Sequence, residues 1–178
     1  MDDSLKQFND IPVSLFLAVS IIVVFSLYIT TAIKTIPCGK DIMSLFFSNF
    51  VHIDPYHLMV NLFALYALSR VERELGAKKF ISLIVFLLIF TSVTEVMIHK
   101  VYPYIPCSIG FSGVLFGIMT WEFVSKKELD IVLIFTIIGM VVLPSIQNSK
   151  ASLLGHAVGA VAGVVGGILW KKYLFYLN

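Results

Sequence analysis

Charge is scarce in this sequence: Asp, Glu, Lys and Arg make up 13% of its 178 residues, while 58% are hydrophobic and the mean hydropathy is +0.94. Soluble domains carry about a quarter charged residues, so a soluble globular fold is excluded and a membrane protein is expected. There are two cysteines, and neither an H-E-x-x-H motif nor a Cys/His ligand spacing accompanies the four histidines, so no metal centre is expected. No Ser/Gly linker, charge block or low-complexity tract breaks the chain, which leaves little room for a second domain. Apolar residues do not alternate with polar ones, which argues against a β-barrel. Basic residues are spread over separate loops, so the net charge of +2 gives no sign of a nucleic-acid partner.

What the chain does have is long apolar runs. A bilayer core needs about 20 apolar residues per helix, and the runs predict six spans, near Ile11 to Ile33, Val51 to Leu68, Phe80 to Ile98, Gly110 to Val124, Leu129 to Leu143 and Ser152 to Leu169. The expected organisation is a short cytoplasmic segment over 1–10, a six-span domain over 11–170 and a short cytoplasmic tail over 171–178. The first run is too long for a signal-peptide core and follows Asp2, Asp3 and Asp10 against a single Lys6, so it is expected to be retained. With six spans, Lys6, Arg70, Arg73, Lys78, Lys79, Lys126, Lys127, Lys171 and Lys172 share one side and Lys34, Lys40, Lys100 and Lys150 the other. The first side is the cytoplasmic one, and it holds both termini.

In that topology spans two, four and six begin at the outer face, and these three carry the conspicuous polar groups: His52, His57 and Asn61 in the second, Gly110-Phe111-Ser112-Gly113 in the fourth, Gly155-His156 in the sixth. Ser112 and His156 fall at similar depth. Gly155, Gly159, Gly163 and Gly167 form a stripe on the sixth span, and Gly113 with Gly117 a small-residue pair on the fourth. Such faces let helices approach closely in lipid. A neutral histidine in reach of a serine can take its proton and make it a nucleophile. Asn61 lies one turn after His57, and with the Ser112 amide the two are candidates to hold a developing oxyanion.

Together these residues resemble the rhomboid family of intramembrane serine proteases, in its compact six-span form. The resemblance rests on His52-x4-His57-x3-Asn61, on Gly110-Phe111-Ser112-Gly113, on His156 followed by Gly159 and Gly163, and on Glu72-Arg73-Glu74-Leu75-Gly76 after span two. It implies an all-α bundle and a Ser112–His156 dyad with no third acid. It also implies an oxyanion hole from Asn61, His57 and the Ser112 amide, and cleavage of a substrate's transmembrane segment without a cofactor. Phe116 would pack against the base and His52 would support from the outer loop. The loop from Lys34 to Asn49 lacks the Trp-Arg pair of many relatives.

Several groups have a second reading. Glu95 and Asp54 are both candidates to orient His156 as a third triad member, and for Glu95 a role as partner to a nearby polar group, or a side chain reaching the interface, is favoured. His99, beside Lys100, is expected at the interface. Cys38 and Cys107 fall in outer loops where a disulfide is permitted. A rhomboid-like pseudoprotease that binds membrane segments without cutting them is the main alternative, and the presence of both Ser112 and His156 counts against it. A small transporter is a second, though no inverted repeat is evident.

Overall fold

The computed structural model describes residues 10–33, 41–126, 130–147 and 152–174. Among them the chain is all-helical: α1 Pro12–Ile29, α2 Ile42–Ser48, α3 Pro55–Leu75, α4 Ala77–Val101, α5 Ser112–Lys126, α6 Ile131–Gln147 and α7 Leu153–Leu174, with no strand. Local chemistry sets several starts. Asp41 accepts the Ser44 amide at 2.9 Å to cap α2, and Asp54 accepts the His57 amide at 2.8 Å ahead of Pro55 in the first turn of α3, the usual pairing of an acidic cap with a proline that needs no donor. Gly76, at φ +77°, is the single residue between α3 and α4.

Among the described residues three helices are long and apolar enough to cross a membrane, Pro12–Ile29, Ala77–Val101 and the stretch Leu153–Lys172 of α7; Ile131–Leu143 is a shorter apolar helix. α5, at 15 residues, is about 22 Å long at ~1.5 Å per residue. α3 has length enough but carries charges in its last turns. Those charges move its boundary. The apolar run suggested an end near Leu68, yet the helix continues to Leu75 because its polar residues find partners. Arg70 donates to Glu122 of α5 at 2.7 Å, and Glu72 is wholly buried. The start also shifts, from Val51 to Pro55, because the proline fixes the first turn. The first helix ends at Ile29 rather than Ile33.

The outer loop expected over Lys34 to Asn49 contains an unforeseen element, α2, which packs against α4. Residues 34–40, including Cys38, lie outside the described residues. Cys107 is disulfide-bonded.

α5 is the hub. It packs most extensively against α7 and also touches α3, α4 and α6, while α1 leans on α3 and α4. α6 touches only α7 and α5, and α3 and α6 do not meet among the described residues, so the bundle is not closed on that flank. Phe80, Leu65, Leu87, Phe111, Val114 and Ile118 form the buried centre. At the lower end Glu72 accepts the Val13 amide at 2.7 Å, the Ser14 amide at 2.8 Å and the Ser14 hydroxyl at 2.6 Å. One carboxylate thereby satisfies orphan donors at the start of α1 and ties it to α3.

Glu72→Ala leaves those buried donors without an acceptor and should cost about 2–4 kcal/mol. Glu74→Ala, which removes a half-exposed partner of Lys126, should stay within about 0.5 kcal/mol. Equilibrium unfolding of both variants in detergent checks the difference, and equal losses would contradict the clamp.

Candidate active site

The close approach of α5 and α7 is built from glycine. A Cβ on Gly159 would overlap the Gly113 carbonyl, one on Gly163 would overlap Thr120 Oγ1 and the Gly117 carbonyl, and one on Gly167 would lie 2.9 Å from Val124. Backbone meets backbone, as the small-residue stripe predicted. Thr120 Oγ1 reinforces the seam by donating to the Ala160 carbonyl of α7 at 3.0 Å.

This seam delivers the first turns of the two helices to each other. Ser112 begins α5 and His156 stands in the first turn of α7, where its amide donates to the Ser152 carbonyl at 3.0 Å. His156 Nε2 lies 3.1 Å from Ser112 Oγ. The imidazole is buried and stacks on Phe116, with ring centroids 4.3 Å apart and planes tilted by 33°. Phe116 thus limits the ring to a narrow range of orientations. For Ser112 to donate, His156 must carry its proton on Nδ1. That nitrogen is buried and forms no hydrogen bond of ordinary geometry; it makes a looser contact with the Val141 backbone carbonyl of α6.

The loop before Ser112 is fixed by a second glycine. Gly110 has φ +99°, its amide donates to the Ser48 carbonyl of α2 at 3.0 Å, and a Cβ there would stand 2.5 Å from His57 Cε1. Only glycine suits both the backbone conformation and the space. His57 therefore abuts the backbone two residues before Ser112. Its ring is 4.9 Å from that of His52 and near enough to His156 for a charge on one to oppose a charge on the other. Phe111, fully buried, packs on Phe50 at 5.8 Å and anchors the same loop.

Asn61 is buried one turn below His57 and donates one amide proton to the His57 carbonyl at 2.8 Å. Its side chain also contacts His52, which is wholly buried. Asn61 Oδ1, His52 Nε2 and His156 Nδ1 are buried atoms without a hydrogen bond of ordinary geometry, Asn61 making its looser contact with His52 and His156 with Val141. Buried polar atoms with such incomplete pairing are uncommon in folded proteins.

Ser112, His156, His57, Asn61, His52, Gly110, Gly113, Phe116 and Gly159 are thus gathered at one end of α3, α5 and α7. Two candidates fall elsewhere. Asp54 serves as the cap of α3, and Glu95 makes a loose polar contact with Ser108. His99, in the last turn of α4, is buried among its neighbours, with Nδ1 at 2.7 Å from the Glu95 carbonyl one turn earlier. Ser108 and Ser152, joined at 2.9 Å, carried no motif that would have singled them out. Among the described residues no group of three or more His, Cys, Asp or Glu gathers as for a metal.

A helical, strongly apolar bundle with a serine in hydrogen-bond contact with a histidine defines the class: a membrane protein with polar groups gathered at one end of its helices. The Rhomboid domain family matches residues 39–173, and the chain belongs to that family. It is also 31% identical over 136 residues to "Putative rhomboid protein L523" of Acanthamoeba polyphaga mimivirus, covering 74% of this chain and 77% of that protein.

Gly159→Ala should strain the α5–α7 seam by about 1–3 kcal/mol. Gly139→Ala, where a Cβ meets nothing within 4 Å, should be neutral or slightly stabilising because alanine favours helix. Thermal unfolding midpoints of the two variants in one detergent check this, and an unchanged midpoint for Gly159→Ala would contradict the seam.

Proposed function

We propose that the protein is an intramembrane serine endopeptidase that cleaves transmembrane segments of membrane-protein substrates. The observation carrying this is the 3.1 Å contact between His156 Nε2 and Ser112 Oγ in a chain of the rhomboid family. Ser112 Oγ attacks the scissile carbonyl carbon as its proton passes to His156 Nε2. The tetrahedral oxyanion rests on the Ser112 amide, Asn61 and His57. Its collapse breaks the C–N bond, His156 gives the proton to the leaving amine, and an acyl-enzyme remains. Water, deprotonated by His156, then attacks the ester and releases Ser112. Serine, imidazole and water suffice for this sequence of steps.

The topology that goes with this function is six crossings, α1 and α3 to α7, over residues 11–170, with 1–10 and 171–178 as short cytoplasmic segments. The excess of Lys and Arg on one side supports cytoplasmic termini. The dyad then lies beneath the outer surface, and polar groups are tolerated there because they face the bundle interior. The unclosed flank between α3 and α6 is the side from which a substrate helix would reach Ser112. Single-span proteins whose helix unwinds locally are the expected substrates, since a peptide bond within an intact helix is shielded from attack.

Purified protein in liposomes with a labelled transmembrane substrate tests the proposal. Wild type should cleave, Ser112→Ala and His156→Ala should not, and Asn61→Ala should lose ~10²–10³ in kcat. Cleavage that survives Ser112→Ala would overturn it. Binding of the substrate without any cleavage by wild type would instead favour a pseudoprotease.

A further inference from the structure

The dyad leaves one buried carboxylate unused. Glu95 sits on α4, 6% exposed, with its carboxylate in a loose polar contact with the Ser108 hydroxyl and backbone amide. Ser108 Oγ lies 2.9 Å from Ser152 Oγ, and Ser152 Oγ accepts the Gly155 amide at 3.0 Å. The Ser152 carbonyl in turn accepts the His156 amide at 3.0 Å. Ser152 is therefore the N-cap of α7, engaged by both its side chain and its backbone.

The hydroxyl protons in this chain have one consistent direction. A carboxylate only accepts, so the Ser108 hydroxyl is turned toward Glu95, Ser152 donates to Ser108, and the Gly155 amide donates to Ser152. Each bond polarises the next, and the charge at one end strengthens the whole run. The negative end also favours the positive pole of α7. Close approach is built in, because a Cβ on Gly155 would lie 2.7 Å from Ser108 Oγ and 2.8 Å from Ser108 Cβ.

His156 needs such support. In a triad an acid holds the imidazole through Nδ1, but here that atom has no hydrogen bond of ordinary geometry. The ring is held by Phe116, by Ser112 Oγ at Nε2, by the looser contact with the Val141 carbonyl and by the turn that carries it. We propose that Glu95, acting through Ser108 and Ser152, is a positioning residue that locks the first turn of α7 and so holds His156 in line with Ser112. The carboxylate does the orienting work of a triad acid at a distance, on the backbone and not on the ring. This rests on the peptidase function proposed above, but its structural part stands apart from activity.

The test pairs two readouts on full-length protein in detergent micelles: hydrogen exchange at the Gly155 and His156 amides, and kcat and KM for the labelled substrate. Glu95→Ala should raise exchange at both amides at least tenfold and lower kcat about 10- to 100-fold, with KM within twofold. Should that variant fail to fold, Ser108→Ala, which deletes one hydroxyl, should give the same pattern. Ser152→Ala combined with Ser108→Ala should lose no more than the worse single variant, since both break one chain. Ser152→Thr, which keeps the hydroxyl, should restore protection and kcat. Unchanged exchange in Glu95→Ala and Ser108→Ala overturns the proposal, as does raised exchange with unchanged kcat in a wild type that cleaves. Raised exchange in a protein whose wild type cleaves nothing upholds the lock while removing the peptidase.

Discussion

The contact between the α5 and α7 backbones is the constraint on which the rest depends. Lipid gives two apolar helices no hydrophobic reason to associate, so they meet where dispersion contacts are densest. Gly159 against the Gly113 carbonyl, and Gly163 against Gly117 and Thr120, bring the helix axes nearer than any side chain would permit. A serine and a histidine on facing first turns then lie in hydrogen-bond contact with no further adjustment. The dyad is a consequence of the seam, reached without the third residue that usually steers an imidazole.

Around that seam, polar groups are distributed by depth. At the upper end they converge, several without a hydrogen bond of ordinary geometry. At the lower end they are paired: Glu72 holds the start of α1, and Glu122 joins Arg70 to Lys126. A buried carboxylate without such donors would cost several kcal/mol. The lower pairs therefore make a fixed base, while the upper groups are less completely paired. Stability and chemistry are segregated along the helix axes.

The legibility of this arrangement in the sequence follows the range of each signal. The histidines, Asn61, Ser112 and the glycine period are local patterns, so their shared end of the bundle was readable once the helices were aligned. Helix limits were less so. The charged end of α3 ended the apolar run at Leu68, because nothing local reveals that Glu72 will be satisfied by Val13 and Ser14, 58 or more residues away. α2 was missed since seven residues in an outer loop leave too short a pattern. Ser108 and Ser152 were invisible for the same reason as Glu72: two ordinary serines, 44 residues apart, gain meaning only by meeting.

Reaction with a fluorophosphonate followed by peptide mass mapping measures the central contact most directly, since the reagent phosphonylates a serine activated by a base. A single adduct on Ser112 is expected in wild type, and it should disappear in His156→Ala while the fold is kept. No adduct on Ser112, or one equally abundant without the His156 imidazole, would contradict the pairing of Ser112 with His156.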